Sequence, residues 1–237
     1  MDRNLVKIQG FDVDSFTFEQ AVDWAYSKHG QIVTINPEMI SAAQKNPDFA
    51  EIINSAELVV ADGIGVEIGL KILGYKVKRI AGIDLGKALV EKFTASGKSV
   101  AMIGAKPGVV DSAIENLSKE YQNLNVVYSH DGYFDKDEDI IASVISANPD
   151  LILVALGSPK QEFFIHNLKE KLPNSTLIGL GGSFDVWAGV VERAPRIYQK
   201  LGLEWLYRTL KEPKRFKRIF PTLPLFVLKV LKERFSK

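Results

Sequence analysis

Residues 56–69, AELVVADGIGVEIG, combine an apolar run, a carboxylate and glycines, followed by a helical pattern. The run LVVA predicts a buried strand, because a short continuous apolar segment is typical of a strand that is covered on both faces. Asp62 comes directly after this run, and Gly63 and Gly65 allow the backbone to approach a neighbouring group closely. The stretch therefore predicts a strand that ends at a ligand site, where a helix begins.

The same pattern of a strand followed by a helix recurs along the chain. Apolar runs predict strands at 31–36, 57–61, 99–104, 125–130, 151–157 and 176–182. Segments with apolar residues at helical spacing separate them, which indicates an α/β fold with a mainly parallel sheet and helices on both faces. We expect an α/β domain over residues 1–195 and a helical C-terminal appendage over residues 196–237.

Composition excludes several classes of protein. The 237 residues are 46% hydrophobic and 25% charged, which is ordinary for a globular chain. The absence of cysteine excludes disulfides and thiolate metal sites, and it suits a reducing cytoplasm. The N-terminus has charges where a secretion signal needs an apolar region, and no apolar run reaches the roughly 18 residues expected of a membrane-spanning helix.

Charge is divided unevenly along the chain. Residues 196–237 carry 12 Lys and Arg against 3 Glu, a net of +9, whereas residues 1–195 carry 18 basic and 26 acidic residues, a net of −8. A basic tail on an acidic body indicates an anionic partner, such as a membrane surface or an acidic patch on another subunit. Nucleic acid is disfavoured as a partner, because the body is acidic and no nucleic-acid-binding signature is present.

The C-terminal tail mixes basic and bulky apolar residues. A basic stripe at helical spacing consists of Arg208, Lys211, Arg215 and Arg218, and Pro213 should break or kink its helix. Residues 224–235, PLFVLKVLKERF, predict an amphipathic helix with an apolar side formed by Leu225, Val227, Leu228 and Leu231. Two interpretations stay open: an interfacial membrane segment, or a terminal helix that docks on the body or in a homo-oligomer.

Every predicted strand is followed by a glycine, a polar side chain or both. In parallel α/β sheets ligands bind at the carboxyl ends of the strands, and helix N-termini there can bind a diphosphate. Six such ends along one edge predict a site large enough for a nucleotide. Besides Thr34, Asn36 and Asp62, the candidate residues are Gly104, Ala105, Lys106, Gly132, Tyr133, Gly157, Pro159, Lys160, Gln161, Ser183 and Asp185.

Asp62 has two interpretations. It can cap the helix that follows it, which is the commonest role of Asp at such a position. It can also deprotonate a sugar hydroxyl as a general base, because Thr34 and Asn36 follow a strand that we expect to be its neighbour, and Arg79 is separated from it only by a short helix. Lys160, which runs against the helix dipole, and the Ser183–Asp185 pair likewise indicate either helix ends or ligand contacts.

Three familiar nucleotide or metal motifs are incomplete. The spacing of Gly63, Gly65 and Gly69 is one residue too long for a dinucleotide fingerprint, which disfavours an NAD-dependent oxidoreductase. GAKPG lacks the Gly-Lys-Ser/Thr of a P-loop. Asp12-Val13-Asp14 has a DxD form but precedes a helical pattern, so we expect Asp14 or Thr17 to cap a helix there, with Gln20 completing a capping box. No metal site is predicted.

The motifs taken together resemble one enzyme family, the WecG/TagA/CpsF glycosyltransferases. They cover residues 5–220 in that family's order, as TINPEM, ADGIGV, RIAGIDL, GAKPG, HDGYF, LGSPKQE, GGSFDVWAG and RAPRIYQKLGLEWLYRTLKEPKRFKR. The resemblance implies a Rossmann-like fold and a cytoplasmic, peripherally membrane-associated, inverting transferase without a metal or other cofactor. It implies transfer of a sugar, often N-acetylmannosamine, from a UDP donor to a polyprenyl-diphosphate-linked sugar, usually GlcNAc, in cell-surface polysaccharide or teichoic acid synthesis.

The resemblance also implies roles for individual residues. Asp62 matches the proposed catalytic base, and Thr34 and Asn36 are expected beside the donor sugar or the acceptor. Arg79 is a candidate for holding a phosphate group or the leaving UDP, and Gln161 is expected near the donor. The arginines thought to reach the active site from the membrane-docking segment match Arg208, Arg215 and Arg218.

Several alternatives remain open from the sequence. The donor sugar can equally be the uronic acid of N-acetylmannosamine, glucose or galactose, because single groups in an unseen pocket distinguish these sugars. A non-catalytic, membrane-tethered nucleotide-binding subunit is a second class of function, and it predicts UDP binding without sugar release.

Overall fold

The computed structural model describes residues 3–211 and 216–236. The chain begins with an antiparallel hairpin that the sequence analysis does not predict, formed by β1 (Leu5–Ile8) and β2 (Phe11–Asp14). Its turn consists of Gln9 and Gly10, whose positive φ angles of 51° and 91° suit a two-residue hairpin turn. Residues of β1 alternate between exposed and buried, so one face of the hairpin covers the core.

The structure decides between Asp14 and Thr17 as the cap of the first helix, α1 (Phe18–Lys28). Thr17 is the N-cap: its hydroxyl accepts from the backbone N–H of Gln20, and Gln20 Oε1 accepts from the N–H of Thr17, so the predicted capping box is confirmed. The prediction that Asp14 caps this helix is wrong. Asp14 is a buried residue of β2 whose carboxylate accepts hydrogen bonds from Arg3 at 2.6 and 2.7 Å and from the N–H of Val59 at 2.9 Å.

A six-stranded sheet forms the centre of the described chain, and all its neighbouring strands pair in parallel, which confirms the predicted fold class. Its strand order is 4-3-8-7-5-6, counting strands in chain order from the hairpin. The strands are β3 (Gly30–Ile35), β4 (Leu58–Ala61), β5 (Ser99–Gly104), β6 (Asn125–His130), β7 (Leu151–Ala155) and β8 (Thr176–Gly179).

Two strands end two or more residues earlier than predicted, for reasons that lie in their backbone. β7 ends at Ala155 rather than 157, and β8 ends at Gly179 rather than 182. The residues beyond them include Gly157 and Gly181, whose φ angles of +77° and +50° turn the chain out of the sheet. These departures form the loops at the carboxyl edge.

Helices cover both faces of the sheet. One face carries α1, α5 (Gly82–Ala95), α6 (Val109–Glu120) and α9 (Ser183–Trp187). The other face carries α2 (Pro37–Ala43), α3 (Pro47–Asn54) and α4 (Gly63–Ile72), together with the hairpin, and further along it α7 (Asp137–Ala147) and α8 (Lys160–Lys169). Three apolar clusters between these layers form the core.

The C-terminal appendage contains α10 (Arg196–Lys200), α11 (Glu204–Lys211) and α12 (Phe216–Phe235). Phe226 and Val230 of α12 are buried in the same apolar cluster as α2, α4 and the hairpin, and Glu233 accepts hydrogen bonds from the backbone and side chain of Gln9. The structure therefore shows this helix docked on the body of the protein. Leu225 and Leu228 of the predicted apolar side are 57% and 61% exposed.

The length and apolar character of the described helices bear on whether the chain spans a membrane. None of those within residues 3–211 and 216–236 combines enough length with enough apolar character to cross a bilayer.

Candidate active site

The ends of β3 and β4 bring the predicted catalytic residues together. Thr34 pairs with Val60 in the parallel register, so the two strands are neighbours, as the sequence analysis expects. Asp62 continues this pairing beyond β4, because its N–H donates to the carbonyl of Ile35 at 2.8 Å. The side chains that follow the two strands therefore start from adjacent positions on one edge.

A cavity of about 240 Å³ opens at this edge. Its walls come from the ends of β3 and β4, the start of α5, the loop after β8 and the C-terminal appendage. The lining includes all four residues predicted as catalytic, which are Thr34, Asn36, Asp62 and Arg79. It also includes Gly82 and Ser183 of the α/β body and, from the appendage, Gly202, Glu204, Trp205 and Leu223.

Asp62 and Asn36 occupy equivalent positions but are used differently. Each is the N-cap residue of a helix, α4 for Asp62 and α2 for Asn36. The Asn36 Oδ1 atom accepts from the N–H groups of Glu38 and Met39, both at 3.0 Å. The Asp62 carboxylate accepts no capping hydrogen bond from α4, all of which the structure describes. Helix capping therefore does not account for the carboxylate of Asp62, which lines the cavity instead.

Arg79 lies on the cavity wall and is held from two sides. Its backbone N–H donates to Glu67 Oε2 at 3.0 Å, and its Nη2 donates to the carbonyl of Gln199 in α10. Its Nη1 lies 3.8 Å from Glu204 Oε1, the first residue of α11. The guanidinium predicted to hold a phosphate group is thus oriented by the appendage.

Arg193 extends this group of charges. It donates two hydrogen bonds to Asp84, at 2.6 and 2.7 Å, and its Nε lies 3.7 Å from Glu204 Oε2. The hydrogen bonds to Asp84 raise the pKa of Arg193, so it is charged throughout the accessible pH range. Sequence reasoning missed Arg193, Glu204 and Trp205, although all three lie in RAPRIYQKLGLEWLYR, because only the basic residues of the appendage were considered.

The predicted donor-binding residues form interlocked loops at the same edge. Ala105 N–H donates to the carbonyl of Ala155 at 2.9 Å, and Gly132 N–H donates to the carbonyl of Ala105 at 2.8 Å, which joins the loops after β5, β6 and β7. A Cβ on Gly104 would lie 2.4 Å from the Ala155 oxygen, so this glycine is required by packing. The loops present Lys106 and Tyr133 to solvent, Tyr133 being 68% exposed.

Lys160 and Ser183 have contacts of their own within these loops. Lys160 Nζ lies 4.4 Å from the ring centroid of Phe134, so a cation and an aromatic face stand together after β6 and β7. The buried hydroxyl of Ser183 donates to the carbonyl of Leu180 at 2.7 Å. Ser183 is the member of the predicted donor set that lines the cavity; Gly157, Pro159 and Asp185 lie at the same edge outside its described lining.

Gln161 is turned into the body. It is 5% exposed, its Oε1 accepts from the N–H of Gly181 at 3.0 Å, and its Nε2 donates to Glu162 Oε1 at 2.7 Å. Burial raises the pKa of Glu162, an effect that the hydrogen bond from Gln161 opposes. In this structure Gln161 supports the loop after β8 and does not face the cavity.

Comparison with known proteins agrees with the resemblance. A family model described as "Glycosyl transferase WecG/TagA/CpsF family" matches residues 6–237. The chain belongs to this family of glycosyltransferases.

Two relatives carry the same name, N-acetylglucosaminyldiphosphoundecaprenol N-acetyl-beta-D-mannosaminyltransferase. The protein from Bacillus subtilis (strain 168) is 40% identical over 208 residues, which cover 87% of this chain and 80% of the relative. The protein from Bacillus spizizenii (strain W23) is 38% identical over 212 residues, which cover 89% of this chain and 82% of the relative.

The glycines after Asp62 serve the packing of this glycosyltransferase. A Cβ on Gly69 would lie 2.8 Å from Ile8 and 3.1 Å from Phe226, and one on Gly65 would lie 2.6 Å from Pro37. These glycines therefore let α4 approach β1, α2 and α12 closely, which explains a spacing that does not match a dinucleotide fingerprint. Gly63 has open space around it, and both Gly63 and Gly65 line the cavity.

The arginines predicted to reach the active site lie partly outside the described residues. Arg215 lies outside the described residues, as do the side chains of Arg208 and Arg218, whose backbones belong to α11 and α12. Within the described part of the chain, no three His, Asp or Glu side chains are grouped so that they could hold a metal ion.

Proposed function

We propose that this glycosyltransferase moves N-acetylmannosamine from a UDP donor to GlcNAc carried on undecaprenyl diphosphate. The names of the two relatives support this acceptor and this sugar. The observation that carries the proposal is the cavity in which Thr34, Asn36, Asp62 and Arg79 meet at the ends of β3 and β4.

The size and charge of the cavity support sugars as its occupants. About 240 Å³ is below the ~300–1,000 Å³ typical of pockets for drug-sized ligands, so it suits part of a substrate. Its described lining contains the carboxylates of Glu38, Asp62 and Glu204 against the guanidinium of Arg79, a net formal charge of −2. Carboxylates accept hydrogen bonds from sugar hydroxyls but repel phosphates, so we expect the diphosphates at the rim.

Strand order supports a place for the donor nucleotide. The chain passes from β5 to β6 on one side and from β7 to β8 on the other, although β5 and β7 are neighbours. Beyond the hydrogen bond that joins their bases, the loops after β5 and β7 therefore lead to helices on opposite faces of the sheet, and a crevice between such loops is where α/β sheets bind nucleotides. Lys106 and Lys160 at these loops are the proposed partners of the donor nucleotide.

The chemical step then follows from this arrangement. Asp62 takes the proton from the acceptor hydroxyl, and the oxygen forms a bond to the anomeric carbon of the donor. The bond from that carbon to the β-phosphate oxygen breaks on the opposite face, and UDP leaves with the electron pair, which inverts the configuration. Arg79 stabilises the negative charge that develops on the leaving diphosphate.

The direct test is UDP release from UDP-N-acetylmannosamine by the full chain, with a short-chain lipid-diphosphate-GlcNAc acceptor and EDTA present. We expect acceptor-dependent release in EDTA, because fixed cations can stabilise the departing diphosphate without a divalent ion. Loss of activity in EDTA with recovery in Mg²⁺ or Mn²⁺ would contradict metal independence. Release only from the uronic acid, glucose or galactose donors would correct the sugar, and UDP binding without release from any donor would indicate a non-catalytic subunit.

We also propose that residues 196–237 hold the enzyme on an anionic membrane surface. The segment has a net charge of +9, and Leu225, Leu228 and Ile197 expose most of their side chains. Basic residues near an anionic leaflet each contribute about 1 kcal/mol. We expect the protein to sediment with phosphatidylglycerol vesicles and to be released by about 0.5 M salt, at which the Debye length is only a few ångströms. Equal sedimentation with phosphatidylcholine vesicles would contradict this electrostatic attachment.

A further inference from the structure

Glu204 lies between two guanidinium groups at the wall of the cavity. Its Oε1 is 3.8 Å from Arg79 Nη1, and its Oε2 is 3.7 Å from Arg193 Nε. The Glu204 side chain is 16% exposed and that of Arg79 is 20% exposed, so neither charge is fully hydrated. Each oxygen of this carboxylate therefore faces a different cation.

The two arginines differ in how firmly they are held. Arg193 has a bidentate partner of its own in Asp84, a geometry that fixes a guanidinium strongly. Arg79 has only the carbonyl of Gln199 as a side-chain hydrogen-bond acceptor among the described residues. Arg193 therefore serves as a fixed anchor for Glu204, and Arg79 is the arginine whose position depends on Glu204.

The backbone around Glu204 is fixed as well. Gly202 has a φ of +71°, and a Cβ there would lie 2.8 Å from Ile64, so the appendage passes directly against the start of α4. Glu204 is the first residue of α11, where the helix dipole stabilises a carboxylate. The Gln199 side chain donates to the carbonyl of Ala194 at 2.6 Å. This bond holds in place the residue whose carbonyl accepts from Arg79.

The separation between Glu204 and Arg79 suits a positioning role. At 3.8 Å the pair is an electrostatic contact and not a hydrogen bond, so Glu204 attracts the guanidinium without accepting its Nη1 protons. Those protons are then available to the oxygens of a phosphate group. Arg79 is also the cation of the described lining, which makes its orientation decisive for an anionic leaving group.

We propose that Glu204 is a positioning residue for glycosyl transfer: anchored by Arg193, it holds Arg79 in the orientation that binds the leaving diphosphate. This inference rests on the proposed function for its kinetic consequence. It makes the appendage a contributor of a carboxylate to the site.

The test compares full-length wild type with Glu204→Gln, Arg79→Lys and the double variant. Glu192→Gln is the matched control, because it removes the same charge beside the same helix, α11. Glu192 accepts a hydrogen bond from the Tyr207 hydroxyl at 3.2 Å and is not part of the described cavity lining. We expect Glu204→Gln to lower kcat about tenfold with less than a threefold change in the KM for the donor. The double variant should match Arg79→Lys within twofold, since Glu204 acts through Arg79. Additive losses, or an unchanged kcat, would overturn the proposal.

A second readout does not depend on turnover. Phenylglyoxal modifies guanidinium groups, and peptide mass mapping gives its rate at Arg79. We expect at least a threefold faster reaction at Arg79 in Glu204→Gln, and the wild-type rate in Glu192→Gln. An unchanged rate in Glu204→Gln would refute the positioning role.

Two further outcomes are distinguishable. If Glu204→Gln melts more than about 10 °C below wild type, Glu204→Asp takes its place, with about a threefold change expected in both readouts and no change in either counting against the proposal. If the wild type transfers no sugar from any donor, the proposed function fails, and the labelling rate alone decides whether Glu204 positions Arg79.

Discussion

Asp14 and Asp62 both meet the short strand β4, one at its middle and one at its carboxyl end. Asp14 is 1% exposed and accepts three hydrogen bonds, two from Arg3 and one from the N–H of Val59. Asp62 occupies the N-cap position of α4 without a side-chain capping hydrogen bond, and it lines the cavity. The two carboxylates have the same chemistry and opposite surroundings.

The difference shows how the fold separates stability from reactivity. The oxygens of Asp14 are committed to joining the hairpin to the sheet, so any proton transfer there would break structural bonds. Asp62 makes no side-chain capping hydrogen bond to its own helix and stands where parallel strands end, the usual place of ligands in α/β sheets. Substituting the first should affect folding, and substituting the second should affect turnover.

The largest expected effect is the loss of turnover in Asp62→Asn. Removal of a general base lowers kcat by about 10²–10⁴-fold, and the amide has nearly the same shape as the carboxylate. We expect the melting temperature to stay within about 2 °C of wild type. The matched control is Asp48→Asn, an exposed aspartate in the first turn of α3, which should keep wild-type kcat. Near-normal turnover by a folded Asp62→Asn enzyme would refute the assignment of the base.

The converse result is expected for Asp14→Asn. The change leaves Arg3 without its charged partner, and removal of one side of such a pair costs about 3 kcal/mol of unfolding free energy. Denaturant titration measures this cost. kcat per folded molecule should be unchanged, because Asp14 is outside the described lining of the cavity.

Asp12→Asn provides the control for that change on the same strand. Asp12 points away from the core and forms a surface ion pair with Lys7 at 3.5 Å, in which both side chains are at least half exposed. Such pairs contribute about 0–1 kcal/mol. Equal destabilisation by Asp12→Asn and Asp14→Asn would mean that the negative charge on β2 stabilises the fold and that the buried contacts of Asp14 add nothing to it.

The sequence allowed the sheet and its active edge to be predicted because their signals are local. Continuous apolar runs such as LILVA indicate strands covered on both faces, and parallel strands must share one carboxyl edge. Thr34, Asn36, Asp62 and Arg79 could therefore be expected near one another, and the cavity gathers them.

The hairpin and the appendage contacts depend on distant partners and were missed. In the sequence, FDVD shows a DxD form and gives no sign of a strand. Only the fold shows that it belongs to a hairpin in which Asp14 contacts Arg3 and β4. The spacing of Gly65 and Gly69 fits no nucleotide fingerprint, and only the fold shows that it serves packing against Pro37 and Phe226. Glu204 is an isolated acid in a basic segment, and only the fold shows that it lies between two arginines.

The smallest expected effect concerns Glu162. Like Asp14 its carboxyl group is buried, but one of its oxygens lacks a described hydrogen-bond partner. It is 3% exposed, and its Oε2 has no hydrogen-bond partner among the described residues. Burial raises its pKa above the ordinary value of 4.5, so the folded state holds this proton more tightly than the unfolded state does. The stability that it contributes is therefore complete below pH 4.5 and is lost as pH rises through the folded pKa.

Glu162→Gln removes this titration and keeps an acceptor for Gln161. Relative to wild type, the variant should gain unfolding free energy as pH rises above 4.5, by at most about 1.4 kcal/mol per pH unit because a single proton is involved. Denaturant titrations between pH 4 and 8 measure the difference, and Glu170→Gln, at the exposed end of the same helix, is the control that should show no such trend. A difference that is flat with pH would mean that Glu162 is charged in the folded protein, and Gln161 would then be held by an ionised partner rather than by a neutral one.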